Sequence, residues 1–327
     1  MQASVRAMLV SVLALCAAGP VAMGNAVAQE KYPSRPIDFI VPWGPGGGAD
    51  LLGRTAGKLM GPMLGVSLPV VNVPGATGQV GLTKLFSGPA DGYTIEVMTG
   101  DTYALFGADK PRFKLDQLTS LGIMIQQPSG FFVKQDAPWK NWDELLAAAK
   151  TKTLKVATTG FGSPDDITIN YFRSLGYHFE NVPYAKPGER YTSILGDHAD
   201  VLYEQTGDVR SYVDNKQMRP VILFYPKPLN IGPFKGVPVT GQSGVDISLP
   251  QLRTVIVKAG TDPKIVKQLS DALGKVAHDP EYTKYLEDQY ADPDSYLPAK
   301  EANEYMAKWL AKAREIAAMS AHKGLNP

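Results

Sequence analysis

A single cysteine, four histidines and no excess of either charge set the first limits on this 327-residue chain. The cysteine, Cys16, sits in an N-terminal apolar stretch, so a disulfide framework is excluded. His178, His198, His278 and His322 show no metal-ligand spacing. Basic and acidic side chains number 33 and 32, and a nucleic-acid binder would carry a basic excess. The apolar run MLVSVLALCAAGPVAM is too short for a comfortable membrane span.

That run has the form of an export leader. Arg6 supplies a short positive segment ahead of it, and Ala26-Val27-Ala28 is a small-residue cleavage signal before Gln29. Cys16 opens a lipoprotein alternative, but Leu15 stands before it where a small residue belongs. With residues 1–28 removed, the expected product is a periplasmic protein without cysteine, carrying 32 basic and 32 acidic residues. Its composition, 44% hydrophobic and 20% charged over the whole chain, is that of a globular protein. The length suits one large domain or two medium ones.

The chain then alternates strand and helix patterns. PIDFIVPW (36–43), LPVVNV (68–73) and DGYTIEVMTG (91–100) read as strands, with ADLLGRTAGKLMGPML (49–64) and GATGQVGLTKLF as the helices between them. Such an order favours a parallel sheet. A second unit starts near residue 127. It reads as FFVK, TLKVATTG, ENVPY, DHADVLYEQT and RPVILF strands separated by helices, the first opened by an Asn141–Glu144 capping box. Residues 225–250 are Pro- and Gly-rich loop. LRTVIVKAG is a late strand, and two amphipathic helices finish the chain.

VPWGPGGGAD, residues 41 to 50, places four glycines in five positions between strand and helix. Glycines there let something approach the backbone closely. Gly44 to Ala49 formally fits the dinucleotide pattern G-x-G-x-x-A, but the second strand ends at Asn72 without the acid that would hold a ribose. There is no lysine for a phosphate loop. General anion chemistry survives: free N–H groups at a helix N-terminus attract a carboxylate. Asp50 is placed to cap that helix or orient a water. ATTGFGSPDD repeats the arrangement in the second unit, with Asp165 and Asp166 at its helix start. The best candidates for an enzyme nucleophile are Ser163 and Ser243, and GQSGV (241–245) lacks the final glycine of a nucleophile elbow.

YPSRPIDFIVPWGPGGGADLLGRTAGKLM, PVVNVPGATGQVGLTKLFSGPADGYTIEVMT, LKVATTGFGSPDD and NVPYAKPGERYTSILGDHADV together resemble the solute-binding receptors of tripartite tricarboxylate transporters, the Bug-type family. That family typically reads YPxKPI-x-x-IVPF-x-PGG-x-x-D, then VVENRPGA-x-G-x-x-G, then PDGYT. The resemblance implies an α/β, type II Venus flytrap of two domains with mixed, mostly parallel sheets flanked by helices. Residues 29–126 and 251–327 would form one domain and 127–250 the inserted second. The implied protein is a non-enzymatic, monomeric receptor without cofactor or metal. It would take up a small carboxylate, aromatic or dicarboxylic, and deliver it to membrane transporter subunits. A sensory receptor for the same ligands is the alternative, an exported hydrolase a more distant one.

Carried over by position, the implied ligand contacts of the first domain are Trp43, Gly44, Pro45, Gly46, Gly47, Gly48, Asp50, Ala76, Thr77, Gly78 and Thr99. The second domain would add Thr158, Thr159, Gly160, Ser163, Asp165, Tyr184, Glu204 and Gln205. Trp43 and Tyr184 would be flat apolar walls. Trp43 replaces the usual Phe, Asn72 to Pro74 reads NVP where ENRP is usual, and Asp166 stands where His is frequent. Glu204 and Gln205 occupy a strand end that is often small or neutral in relatives.

Overall fold

Two mixed sheets organise the chain. The computed structural model describes residues 31–242 and 247–321. The leader, Ser243 and His322 lie outside the described residues. From Pro33 onward the chain forms one compact unit.

The first sheet begins as the sequence pattern requires. Short apolar runs form β1 (Asp38–Val41), β2 (Val70–Asn72) and β3 (Thr94–Thr99), joined through helices α1 (Gly48–Leu64) and α2 (Gln79–Ser87). β1 pairs in parallel with both β2 and β3. A one-turn helix, α3 (Gly100–Ala104), follows β3 directly, and β4 (Leu118–Gln127) crosses the sheet. The second sheet is built from β5 (Ser129–Lys134), β6 (Leu154–Thr158), β7 (Phe179–Pro183), β8 (Val201–Gln205) and β9 (Met218–Phe224). Helices α4 (Trp142–Ala149), α5 (Pro164–Ser174), α6 (Pro187–Leu195) and α7 (Arg210–Asp214) fall between these strands. The chain then returns to the first sheet with β10 (Gln251–Lys258), α8 (Pro263–Ala277), α9 (Pro280–Asp288), β11 (Leu297–Pro298) and α10 (Ala299–Ala321).

The strand orders are β11-β4-β10-β3-β1-β2 and β7-β6-β8-β5-β9. β10 runs against β3 and β4, and β5 runs against β8 and β9. Each sheet is therefore mixed, with β10 and the short β11 opposing a parallel set in the first and β5 opposing one in the second. β4 and α9 are absent from the sequence reading. β4 is buried along nearly its whole length and holds Gly122 at φ 148°, so it shows neither alternation nor an unbroken β-branched run. The capping box is half formed: Glu144 N donates to Asn141 Oδ1 at 3.0 Å, but the Glu144 carboxylate accepts from Lys140 N.

Both sheets are apolar inside. Phe131 sits edge-on to Phe224 at 4.9 Å in the second, and Ile40, Ile123 and Ile256 lie in the first. α10 lies against both β4 and α5. A carboxyl group without a partner interrupts the first core: Glu96 of β3 is wholly buried and neither of its oxygens is hydrogen-bonded. Burial pushes its pKa well above the usual carboxylate range.

Candidate functional site

The first Gly-rich loop leaves β1 at the C-terminal edge of its sheet, where open α/β sheets bind ligands. Pro45 and Gly46 form its exposed tip. Gly46 takes φ 85°, a conformation that favours glycine. Gly47 is the N-cap of α1 at φ −93° and offers no side chain to the helix end. Asp50 is therefore not the N-cap; it lies in the first turn and faces back into the loop. Gly46 N donates to its Oδ2 at 3.0 Å, Arg54 donates to both its oxygens at 2.9 Å, and Asn72 Nδ2 donates to Oδ1 at 2.9 Å. Asn72 also reaches the Trp43 carbonyl at 3.0 Å. Burial acts to raise the Asp50 pKa, but these donors and the Arg54 charge outweigh it and hold the group below its ordinary value. Asp50 thus fixes the loop.

The second loop repeats this frame. Gly162 N donates to Asp166 Oδ2 at 2.9 Å, and Asn181 Nδ2 to Asp166 Oδ1 at 2.7 Å. Here the helix end is closed. Ser163, the N-cap of α5, accepts from Asp166 N at 3.3 Å and donates to the Gly160 carbonyl at 2.6 Å. Asp165 is fully buried and accepts from Thr159 N at 2.7 Å. The Thr159 hydroxyl lies 2.9 Å from Asp165 and 3.3 Å from Asp101. It has one proton for two carboxyl groups. Burial, then the nearby Asp101 charge, pushes Asp165 well above the carboxylate range.

Each loop faces an element of the opposite sheet's unit across a narrow cleft. A Cβ on Gly47 would stand 2.6 Å from Pro187 Cγ at the start of α6. One on Gly160 would stand 2.4 Å from Thr77 Oγ1. The cavity between them is lined by Trp43, Gly47, Thr99, Thr159, Gln205 and Arg253 among others. Its volume is about 20 Å³, room for a water and little more. Trp43 Nε1 donates to Thr99 Oγ1 at 3.3 Å along one wall.

Of the residues implied by position, Trp43, Gly47, Gly48, Thr99, Thr159 and Gln205 line this cavity. Gly44 packs on Lys186, and Ala76, Thr77 and Gly78 form a turn with three successive positive φ values, Thr77 touching the second loop. Thr158 donates to Asn181 beneath the floor. Tyr184 is not a wall of the cavity; its ring packs on the second hydrophobic cluster, with Leu202 and Tyr191. Its backbone contributes instead, the carbonyl accepting from Arg190 Nη1 at 3.2 Å.

Glu204 has its partner inside the protein. The wholly buried carboxylate pairs with Arg190 through Nε at 3.0 Å and through Nη2. Burial raises the Glu204 pKa while the Arg190 guanidinium pulls it back. Burial likewise opposes the Arg190 charge, and Glu204 more than restores it. A second buried pair joins Arg253 Nη2 to Asp208 Oδ2 at 2.6 Å. The Gln205 amide lies between the pairs, its nitrogen 2.7 Å from Glu204 Oε1 and 3.3 Å from Asp208 Oδ2. Asp101 accepts from Gln251 Nε2 at 2.7 Å.

Sequence reasoning missed Asp101, Pro187, Arg190, Asp208, Gln251 and Arg253. One signal was present. LRTVIVK carries an arginine inside an otherwise apolar strand, and a charged residue there must find a buried partner. Asp208 lies in a turn three residues beyond β8 and had no comparable signal.

Comparison with known proteins places this architecture. The tripartite tricarboxylate transporter family receptor model matches residues 53–320. A Cupriavidus necator protein described as "UPF0065 protein in gbd 5'region" is 27% identical over 93% of both chains. The solved structure of MatC from Rhodopseudomonas palustris with bound malate has a TM-score of 0.79 at 20% identity, covering 88% of this chain and 100% of that one. An R. palustris protein solved with adipate has a TM-score of 0.81 at 18% identity, over 89% and 98%. The fold is that of a periplasmic binding protein.

Proposed function

We propose, from the premise that this chain belongs to the tripartite tricarboxylate transporter receptor family, that it captures a small organic carboxylate outside the cytoplasm and delivers it to membrane transporter subunits. The observation that carries this reading is the uncapped start of α1. Gly48 N points into the cleft and there meets a carboxylate, that of Asp208, at 3.2 Å. A helix N-terminus stabilises such a charge. Two relatives of the same fold were solved with malate and adipate, both dicarboxylates. Ser163, the rival nucleophile, already donates its proton to the Gly160 carbonyl and caps α5.

The domains follow the sheets in this proposal, with 29–126 and 251–327 forming one, and 127–250 the other. Pro128, between β4 and β5, and the segment entering β10 are the crossings. A dicarboxylate is larger than the cavity, so its capture requires the sheets to part and close about these segments. The contact set is the cavity lining, with Trp43 as its flat wall.

A thermal-shift screen of mono- and dicarboxylates tests the function. A ligand raises the midpoint if it prefers the folded state, and calorimetry should then give one site per chain, with the ligand recovered unchanged. No stabilisation by any carboxylate, or turnover of one, would remove the receptor reading. Small-angle scattering with the saturating ligand tests the motion, and an unchanged radius of gyration at full occupancy counts against it.

A further inference from the structure

The uncapped end of α1 is occupied by a group of this chain. Asp208 Oδ2 lies 3.2 Å from Gly48 N and 2.6 Å from Arg253 Nη2. Its Oδ1 accepts from Gln127 Nε2 at 3.2 Å. The three donors belong to α1, β10 and the end of β4. They converge on one carboxylate, as donors in a carboxylate-binding site do.

The packing explains why an anion is needed there. A Cβ on Gly48 would lie 2.2 Å from Asp208 Oδ1 and 2.4 Å from Arg253 Nη2. The guanidinium is therefore pressed against a helix N-terminus, and both are positive. That contact is unfavourable unless a negative group is shared between them.

Arg253 is 2% exposed and lines the cavity, yet its Nε and Nη1 have no hydrogen-bond partner. The Tyr285 hydroxyl lies beside the guanidinium and interacts with it. A guanidinium presents a planar fork of donors matched to a carboxylate. Asp208 engages one arm of it. A buried pair serving only the fold gains most when its donors are satisfied, and this one leaves two buried donors unused on a residue that lines the cleft.

Resting on the carboxylate reading above, we infer that Arg253 is the specificity-determining cation for an anionic ligand, and that Asp208 is an internal competitor for the same donors. The ligand carboxylate displaces Asp208 from Gly48 N and takes the Arg253 fork. Affinity is then set by the difference between two carboxylates. A ligand with a single weakly held oxygen fails to displace the internal one.

The test uses the mature chain and begins with acetate as the probe. Asp208→Ala vacates the site, and acetate then raises the melting midpoint saturably. Chloride at equal ionic strength does not, and wild type shows neither effect. Arg253→Gln added to Asp208→Ala abolishes the acetate response. In calorimetry with the dicarboxylate found by the screen, Asp208→Ala binds at least ten-fold more tightly and Arg253→Gln at least ten-fold more weakly. Should Asp208→Ala not fold, Asp208→Asn, which keeps the acceptor and removes the charge, carries the affinity comparison. An affinity unchanged by Arg253→Gln, or weakened by loss of the Asp208 charge, overturns the inference. Acetate rescue in a protein that binds no carboxylate as wild type keeps the anion site and removes the receptor reading. Carboxylate binding by wild type without acetate rescue does the reverse.

Discussion

The two Gly-rich loops are built on one frame and end differently. In each, a glycine N–H donates to an aspartate four residues on, Gly46 to Asp50 and Gly162 to Asp166. In each, an asparagine from the neighbouring parallel strand, Asn72 of β2 or Asn181 of β7, donates to the other carboxylate oxygen. The difference is the helix cap. α5 has Ser163 on its own N-terminus, whereas α1 has Gly47 and no side-chain cap. The second loop satisfies itself. The first passes a donor to whatever enters the cleft, which here is Asp208. A loop frame and an anion site are thus separable, and the cap residue decides between them.

The largest expected effect breaks the comparison by charge. Asp50→Asn should lower stability by about 2 kcal/mol at pH 7, the scale of hydrogen bonds to a charged group. The folded Asp50 pKa lies below 3.8. Its contribution is therefore complete above that value and lost as pH falls through the folded one. Wild type and Asp50→Asn should converge in strong acid. Asp165 has the opposite sign. Its folded pKa is raised well above 3.8, so stability is lost as pH rises from 3.8 toward the folded value. Asp165→Asn should remove that slope and gain on wild type with rising pH. Urea unfolding from pH 2.5 to 8 measures both, and parallel curves for the two variants would show that the loops do not differ in this way.

Next in size is Gly47→Val. At φ −93° the backbone accepts valine, and the positive φ belongs to Gly46. The obstacle is Pro187, 2.6 Å from the added Cβ. Carboxylate affinity should fall at least ten-fold, about 1.4 kcal/mol, with the fold retained. A folded variant that binds normally would show that close approach of loop and α6 is not needed.

The smallest effect comes from the closed loop. Ser163→Ala removes the α5 cap and should cost about 1 kcal/mol of stability. Ligand affinity should stay within about two-fold, because the cap serves the helix alone. A large loss of affinity, read by calorimetry, would make Ser163 part of the site and erase the contrast with Gly47.

Much of this frame is legible in the residues. Strand, glycine turn and acid recur at 41–50 and 156–166 because each loop solves its backbone hydrogen bonds locally, within a few positions. The same locality explains why helix α1 stands near its expected bounds. β4 escaped because both α8 and α10 pack on it, which leaves no one-sided periodicity to read. The resemblance implies a place for Tyr184 at the cleft, but its ring packs on the core cluster that holds Leu202 and Tyr191. Asp50 and Asp166 are legible as loop acids; their asparagine partners sit 22 and 15 residues away, and no local spacing pairs them.

What the sequence by itself determined is the family, the α/β order and the two turns that need glycine, since these depend on neighbours along the chain. Only the tertiary structure decided how the buried charges pair. Arg253 meets Asp208 across 45 positions, and Arg190 meets Glu204 across 14. A charge withdrawn from water is set by whatever stands within a few ångströms of it. Those neighbours come from different elements, a helix and a strand in one pair and a turn and a strand in the other, and no spacing along the chain records them.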